Sequence, residues 1–274
     1  QINSIVKALK YLKKKPLTIR TLDVGNDKKV PSIEKLLTKS PNPALGLRAI
    51  RLTLAFPKIF RKQISAILRA SAYGNIRIML PMVSNVSELI ETKKIINEVK
   101  NDLQKRNYKI KSSPPVGVLI ETPAAALISD SLAKNCDFFA IGTNDLTMYT
   151  LAIDRGDEEV AKIYDPGHLS VLRLISLSTK SAKNNNIPIS ICGEMAGDTM
   201  FTSILVGMGI STLSMSTSRI LKVKQFISNL NSKEVKKISD EILKQDDNVL
   251  IKNYLMSYYN KINTRIRTIK NGWF

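Results

Sequence analysis

The chain has 274 residues, 43% hydrophobic and 24% charged, enough apolar side chain to bury a core and too much for a disordered polymer. It has no apolar run near the roughly 20 residues that span a bilayer, and Gln1 to Lys15 lacks the apolar stretch of a secretory signal, so a cytoplasmic protein without membrane insertion is expected. The formal charge of +19 arises from 30 Lys and 12 Arg against 23 acids. Because the lysines are scattered, with no basic stripe interleaved with aromatics, a solvated surface that attracts small anions is expected rather than nucleic-acid binding.

The amino end reads as a helix leading into Lys13-Lys14-Lys15-Pro16 with no initiator Met, which suggests a piece of a longer protein. Short apolar runs then recur, each followed by a helical stretch, the rhythm of parallel β/α units. Strands are predicted at Leu17 to Val24, Ile76 to Met82, Val116 to Ile120, Phe138 to Ile141, Ile187 to Cys192 and Ile210 to Met215. Two more, at Leu45 to Ile50 and near Ala152 to Asp154 or in the turn beyond it, would complete a (β/α)8 TIM barrel in one domain. Outer helices are predicted from Ser87 to Arg106 and from Pro123 through Ala133. Extra C-terminal helices follow, within about 219–260: Ser232 to Lys244 and Val249 to Tyr259, with a frayed tail from Lys261 to Lys270.

In a parallel barrel the reactive side chains sit at the carboxyl ends of the strands. That rule gathers Arg20, Asp23, Arg48, Arg77, Glu121, Asn144, Asp145, Arg155, Cys192 and Glu194. Magnesium takes oxygen ligands, commonly one or two carboxylates, with water and substrate phosphate completing its shell. Glu121 and Asp145, ending consecutive strands, suit that role, although either could instead cap a helix. In a Lys-dominated chain the placement of Arg is informative, because its planar fork grips phosphate or carboxylate bidentately. Arg20, Arg48, Arg77 and Arg155 fall at strand ends or just beyond. Arg61, Arg69, Arg106, Arg265 and Arg267 read as solvated surface, and Arg51 as support for either the site or the fold.

Cys136 and Cys192 are far apart and lack metal-ligand spacing, so neither a disulfide nor a zinc site is expected. Cys192 precedes Gly193 and Glu194. Its thiol could donate a proton or serve as a small buried hydrophobe, and Cys136 fits the second reading. His168, the one histidine, lies in a turn before a helix and reads as a capping or solvent-facing residue. Met148 and Tyr149 read as packing residues.

Several segments resemble one family: Thr-Ile-Arg-Thr-Leu-Asp-Val-Gly at 18–25, Asn-Pro-Ala-Leu-Gly-Leu-Arg-Ala-Ile-Arg at 42–51, and Arg-Ile-Met-Leu-Pro-Met at 77–82. Glu-Thr-Pro-Ala-Ala-Ala at 121–126, Ile-Gly-Thr-Asn-Asp-Leu-Thr at 141–147, Leu-Ala-Ile-Asp-Arg-Gly at 151–156 and Cys-Gly-Glu-Met-Ala-Gly-Asp at 192–198 are more specific. They are similar to the carboxy-terminal, phosphoenolpyruvate-binding barrel of enzyme I of the sugar phosphotransferase system, from about Leu17 to Met215. The resemblance implies that Arg20, Arg48, Arg77 and Arg155 grip phosphate and that Glu121 and Asp145 ligate Mg2+. It also implies that Asn144, with neighbouring backbone, holds the substrate carboxylate, that Asp145 lies at the substrate, and that Cys192 protonates the enolate carbon.

The family's phosphoryl acceptor is a histidine on an amino-terminal domain that also meets the small phosphocarrier protein HPr. No Gly-Gly-x-Thr-Ser-His type segment occurs here, and His168 matches no acceptor position. The resemblance therefore implies a substrate-binding half that dimerises through this barrel and does not complete phosphotransfer alone. Asn26 stands where the family commonly has a second glycine, and Met148 where it commonly has glutamine. Alternative readings are the related barrel of pyruvate phosphate dikinase or phosphoenolpyruvate synthase, and a non-catalytic dimerisation module.

Overall fold

A computed structural model describes residues 1–25, 40–111 and 113–271. They form two compact units, one from residues 1–119 and 131–138, the other from 120–130 and 139–274. Among the described residues the strands are β1 (Leu17–Arg20), β2 (Ile76–Leu80), β3 (Val116–Ile120), β4 (Phe138–Gly142), β5 (Ile189–Cys192) and β6 (Thr212–Leu213). The α/β class holds, with parallel strands throughout the pairs described below.

In the first unit β1 pairs with β2, with Leu17 opposite Ile76 and Arg20 opposite Met79, and β2 pairs with β3, with Ile78 opposite Val116. Helices α1 (Ile2–Leu12), α2 (Ala49–Ala55), α3 (Pro57–Ala70) and α4 (Val86–Lys105) complete it. Phe60, Ile64, Ile67, Leu68, Ile78 and Leu80 are fully buried, each worth about 1.5–3 kcal/mol of transfer free energy. Helix α4 starts with a capping box: the Asn85 side chain accepts from the Ser87 amide at 3.1 Å, and the Glu88 carboxylate accepts from the Asn85 amide at 2.9 Å. The cap therefore falls two residues before the predicted Ser87 start. Every residue of β3 is buried, as its uninterrupted apolar run implies for a strand covered on both faces.

In the second unit β4 pairs with β5, placing Gly142 opposite Cys192, and β5 pairs with β6, placing Ile191 opposite Leu213. Its helices are α5 (Pro123–Leu127), α7 (Thr143–Leu151), α8 (Glu158–Ala161), α9 (Leu169–Asn184) and α10 (Thr199–Met208), with α6 (Ser129–Ala133) between β3 and β4 in the chain. The closing helices are α11 (Thr217–Ile227), α12 (Ser232–Ile242) and α13 (Asn248–Asn271). Helix α10 packs against α12; the approach is so close that a Cβ on Gly207 would stand 2.2 Å from the Val235 carbonyl oxygen.

Several expected boundaries are corrected. Strand β1 stops at Arg20, one residue before the Thr21 amide makes a last bond to the Met79 carbonyl at 2.9 Å and three before Asp23 pairs with Arg20 and Arg48. Strand β2 stops at Leu80, where Pro81 lacks an amide hydrogen and Met82 takes φ +57. Leu45 to Ile50 is not a strand: turns lead to Arg48, and α2 begins at Ala49. Nor is Ala152 to Asp154, since Ala152 is the left-handed C-cap of α7 at φ 54. Thus neither extra strand expected for an eight-stranded barrel forms at those positions. The expected frayed tail is also corrected, because α13 continues to Asn271 with Tyr258 and Ile262 buried in a cluster with Phe226 and Val235.

That cluster is bordered by Glu234, which accepts from the Tyr258 hydroxyl at 3.2 Å and pairs with Lys261. The hydrogen bond from Lys261 lowers the Glu234 carboxyl below its ordinary value, and burial, with Glu234 adding to it, raises the Tyr258 phenol to about 12. A depressed carboxyl contributes stability above the ordinary carboxylate range and loses it as pH falls through the lowered value. Glu234→Gln should therefore destabilise the chain by under about 1 kcal/mol at pH 7. In urea titrations the difference from wild type should shrink to nothing in acid.

Candidate active site

In the first unit three predicted site residues meet. Arg20 Nη1 lies 3.1 Å from Asp23 Oδ2, while Arg48 Nη2 and Nε lie 2.8 and 3.2 Å from Asp23 Oδ1. Asp23 is 7% exposed and Arg48 3%. A buried guanidinium is tolerable only when paired and hydrogen-bonded, so Asp23 fixes the Arg48 fork. Arg48 is the extended N-cap of α2, and the next residue, Ala49, has φ +50, a left-handed conformation costing a non-glycine residue about 1–2 kcal/mol. The strain falls beside a predicted phosphate ligand. Arg51 donates to the Leu45 carbonyl at 3.0 Å and supports this turn.

Arg77 is placed differently from the others. It is the second residue of β2, at the end where the strand begins, rather than at its carboxyl end. Its register opposite Thr18 puts it on the sheet face of Arg20, two residues nearer the strand start. Its guanidinium lies 5.6 Å from the Phe138 ring centroid, and it lines a cavity of about 370 Å3 with Asn75, Lys111 and Pro115. Asn26 lies outside the described residues.

In the second unit the register of β4 and β5 brings two motifs side by side. Gly142 ends β4 and caps α7, and it stands opposite Cys192. The Thr143 hydroxyl donates to the Cys192 carbonyl at 2.9 Å, and the Asn144 side-chain oxygen accepts from the Glu194 amide at 3.1 Å. Between them Gly193 takes φ +91, and a Cβ there would stand 2.3 Å from Thr143 Oγ1 and 2.9 Å from Asn144 Oδ1. Any side chain at 193 would force the motifs apart.

Asp145 lies in the first turn of α7, its side chain 16% exposed, and Arg155 Nη2 approaches its Oδ1 to 3.6 Å. Arg155 also lies 5.9 Å from the Tyr164 ring centroid. The Tyr164 hydroxyl donates to the Asn144 carbonyl at 3.4 Å, and burial pushes its phenol above the ordinary tyrosine range. Glu121, 2% exposed, follows β3 directly. It is not a cap: Thr122 caps α5, its hydroxyl accepting from the Ala125 amide at 3.1 Å, and Pro123 takes the first helical position. Because α5 packs on α7, Glu121 and Asp145 enter neighbouring helices of the same unit. Their all-oxygen donor set suits a hard cation such as Mg2+. Among the described residues no group of three or more His, Cys, Asp or Glu forms a metal cluster, and a two-carboxylate site falls below that size.

The Cys192 thiol is half-buried and donates to the Ile141 carbonyl at 3.3 Å. His168 caps α9: its Nδ1 lies 3.3 Å from the Ser170 amide and 2.6 Å from the Ser170 hydroxyl. Met148 is buried in α7. A cavity of about 560 Å3 opens against Asn144, Gly193 and Glu194, with Ser216 and Arg219 on its wall. Sequence reasoning missed Arg219. The scarcity of Arg among Lys could have found it, had β6 been expected to end at Leu213 and release α11 early.

The family model described as "PEP-utilising enzyme, PEP-binding domain" matches residues 1–232. The chain belongs to this family of phosphoenolpyruvate-binding domains. Phosphoenolpyruvate-protein phosphotransferases from Priestia megaterium and Bacillus subtilis (strain 168) are each 42% identical over 243 residues, covering 89% of this chain and 42% of the relative. The corresponding protein from Listeria monocytogenes is 42% identical over 229 residues, 84% of this chain and 40% of the relative. The domain thus spans less than half the length of these relatives. An aldolase/citrate lyase family protein of known structure from Burkholderia cenocepacia J2315 aligns over 86% of this chain and 91% of that one, with 14% identity and a TM-score of 0.46, too distant to bear on the site.

The domain's two thiols differ in setting. Burial pushes the Cys136 thiol up to about 12, opposed in part by a backbone hydrogen bond at Phe138, so at pH 8 its thiolate is scarce. With limiting iodoacetamide, peptide mapping should find Cys192 alkylated at least about tenfold faster, and Cys136 reacting only after denaturation.

Proposed function

We propose that this chain is the substrate-binding half of a phosphoenolpyruvate-protein phosphotransferase, enzyme I of the sugar phosphotransferase system. In this reading it binds phosphoenolpyruvate with Mg2+ and supports phosphoryl transfer to a histidine on an amino-terminal domain, releasing pyruvate as the first step of sugar phosphotransfer. The observation that carries it is the junction at Gly142 and Cys192, which gathers Asn144, Asp145 and Cys192 at the carboxyl ends of two adjacent strands. Arg155 joins them through Asp145.

Glu121 and Asp145 would hold the magnesium ion. Bound there, the ion would offset negative charge on the phosphoryl group and the enolate oxygen. Arg155 would grip the phosphate, and the Asn144 amide would hold the carboxylate. Arg20, Arg48 and Arg77 enter as phosphate ligands by resemblance alone, position by position. On transfer the bond from phosphorus to the enol oxygen breaks and a bond to the acceptor nitrogen forms. The enolate left behind takes a proton on carbon from the Cys192 thiol, which regains one from solvent.

The phosphohistidine domain, HPr and a second copy of this domain are the partners that accompany this reading, together with a closed (β/α)8 barrel and a cytoplasmic setting. No helix among the described residues is long and apolar enough to cross a membrane. His168 is not proposed as an acceptor, its Nδ1 being engaged by Ser170. The names of the relatives favour this enzyme over pyruvate phosphate dikinase and phosphoenolpyruvate synthase.

Calorimetry with phosphoenolpyruvate and Mg2+ should give a binding isotherm that chelation abolishes; no heat with or without metal would leave only a scaffold. Arg48→Lys should weaken that binding by roughly tenfold despite keeping the charge, because the bidentate fork is lost. In the full-length protein, Cys192→Ser should leave phosphoenolpyruvate affinity intact and slow pyruvate release at least about a hundredfold. Equal turnover would remove Cys192 as the acid.

A further inference from the structure

The cavity of about 560 Å3 beside Asn144 has a charge pattern that the motifs do not account for. Glu194 and Asp198 both line it, and among the described residues Arg219 is the one cationic residue on its wall. An anion entering past two carboxylates needs a compensating positive charge, because like charges in a partly enclosed space repel strongly. Asp198 is already engaged, its carboxylate accepting from the Met200 amide at 2.9 Å as the cap of α10. Among the described residues no carboxylate comes within ion-pair distance of Arg219. The guanidinium is exposed and available to a ligand.

Two features hold the groups that would meet such a ligand. The Asn144 side-chain oxygen accepts from the Glu194 amide, and a backbone N–H can donate only to the oxygen end of a carboxamide, which leaves the NH2 as the end Asn144 offers. The stem of Arg219 lies across Gly197, where a Cβ would stand 3.3 Å from Arg219 Cγ and 3.4 Å from Met215 Cβ. A glycine at 197 therefore seats the arginine stem against the cavity wall. A carboxamide NH2 and a guanidinium fork on one cavity wall offer donors that the two oxygens of a planar carboxylate can take.

We infer that Arg219 is a specificity-determining substrate residue that, with the Asn144 amide, takes the carboxylate of the phosphorylated three-carbon acid. This rests on the phosphoenolpyruvate reading above and adds to it a recognition element outside the motifs. The substrate's two anionic ends are then divided: the phosphate goes to Arg155, beside Asp145, and the carboxylate to Arg219 and Asn144. A phosphate-bearing ligand without a carboxylate gains nothing from Arg219.

The test is isothermal titration of the 274-residue chain in Mg2+ with phosphoenolpyruvate and, separately, inorganic phosphate, for wild type, Arg219→Ala, Arg219→Lys, Gly197→Val and Arg155→Ala. Arg219→Ala should raise the Kd for phosphoenolpyruvate about tenfold and change that for inorganic phosphate less than about twofold. Arg219→Lys should recover only part of the loss, Gly197→Val should reproduce it by displacing the stem, and Arg155→Ala should weaken both ligands. Because Arg219 is exposed, its replacement leaves the core intact, and unchanged circular dichroism checks this. If Arg219→Ala binds phosphoenolpyruvate like wild type while Arg155→Ala does not, or if it loses both ligands equally, the carboxylate role is overturned and the functional reading stands. A wild-type chain that binds no phosphoenolpyruvate would overturn both.

Discussion

The close approach of Gly193 to Thr143 and Asn144 is the contact on which the candidate site depends. Strand pairing alone sets Gly142 opposite Cys192; what locks the two strand ends is the pair of hydrogen bonds from Thr143 to the Cys192 carbonyl and from the Glu194 amide to Asn144. Both need a backbone at 193 with positive φ and no Cβ. The same bonds orient the groups on either side. Asn144 is turned so that its NH2 is offered, and α7 starts immediately after β4, which carries Asp145 into the first turn near Arg155. A first-turn carboxylate also gains from the positive end of the helix dipole.

The first unit solves a different problem, how to keep two guanidinium groups close together. Asp23 does this by accepting from both Arg20 and Arg48, the Arg48 fork being nearly buried. Burying Arg48 costs desolvation that a single carboxylate offsets only with good geometry, and the backbone supplies that geometry through an extended Arg48 and a left-handed Ala49. Strain at such a position is retained where the surrounding contacts over-determine it. The second unit spends its packing elsewhere: Gly207 lets α10 approach α12, and the cluster around Phe226 and Ile262 extends α13 to Asn271.

Much of the fold was legible because buried parallel strands write themselves as continuous apolar runs. The expected strand at Val116 to Ile120 has the bounds of β3, and that at Phe138 to Ile141 ends one residue before β4 does. The errors share a cause. Leu22 and Val24 extend an alternating pattern past Arg20, Leu45 to Ile50 is apolar over a turn, and Ile210 to Met215 is a strand for only two residues, Thr212 and Leu213. Strand length is decided by how far a neighbour offers hydrogen bonds, and local composition does not encode that. The tail from Lys261 has a solvated look because its charges dominate the pattern, yet Ile262, fully buried, and Ile266, packed on the same cluster, anchor the helix there.

By itself the sequence determined which residues could do the chemistry: carboxylates in Glu-Thr-Pro and Asn-Asp, arginines in a chain rich in lysine, a thiol before a glycine, all in motifs specific enough to name the family. Side-chain identity and short spacing are local properties, and they survive without a structure. Only the tertiary structure decided what those groups do to one another. It set Arg20 and Arg48 on one shared carboxylate, laid Arg77 against Phe138, made Thr122 rather than Glu121 the helix cap, and brought Arg219 to the cavity beside Asn144. Each of those outcomes depends on register, burial or a left-handed backbone angle, which arise when distant segments pack and which no window of sequence contains.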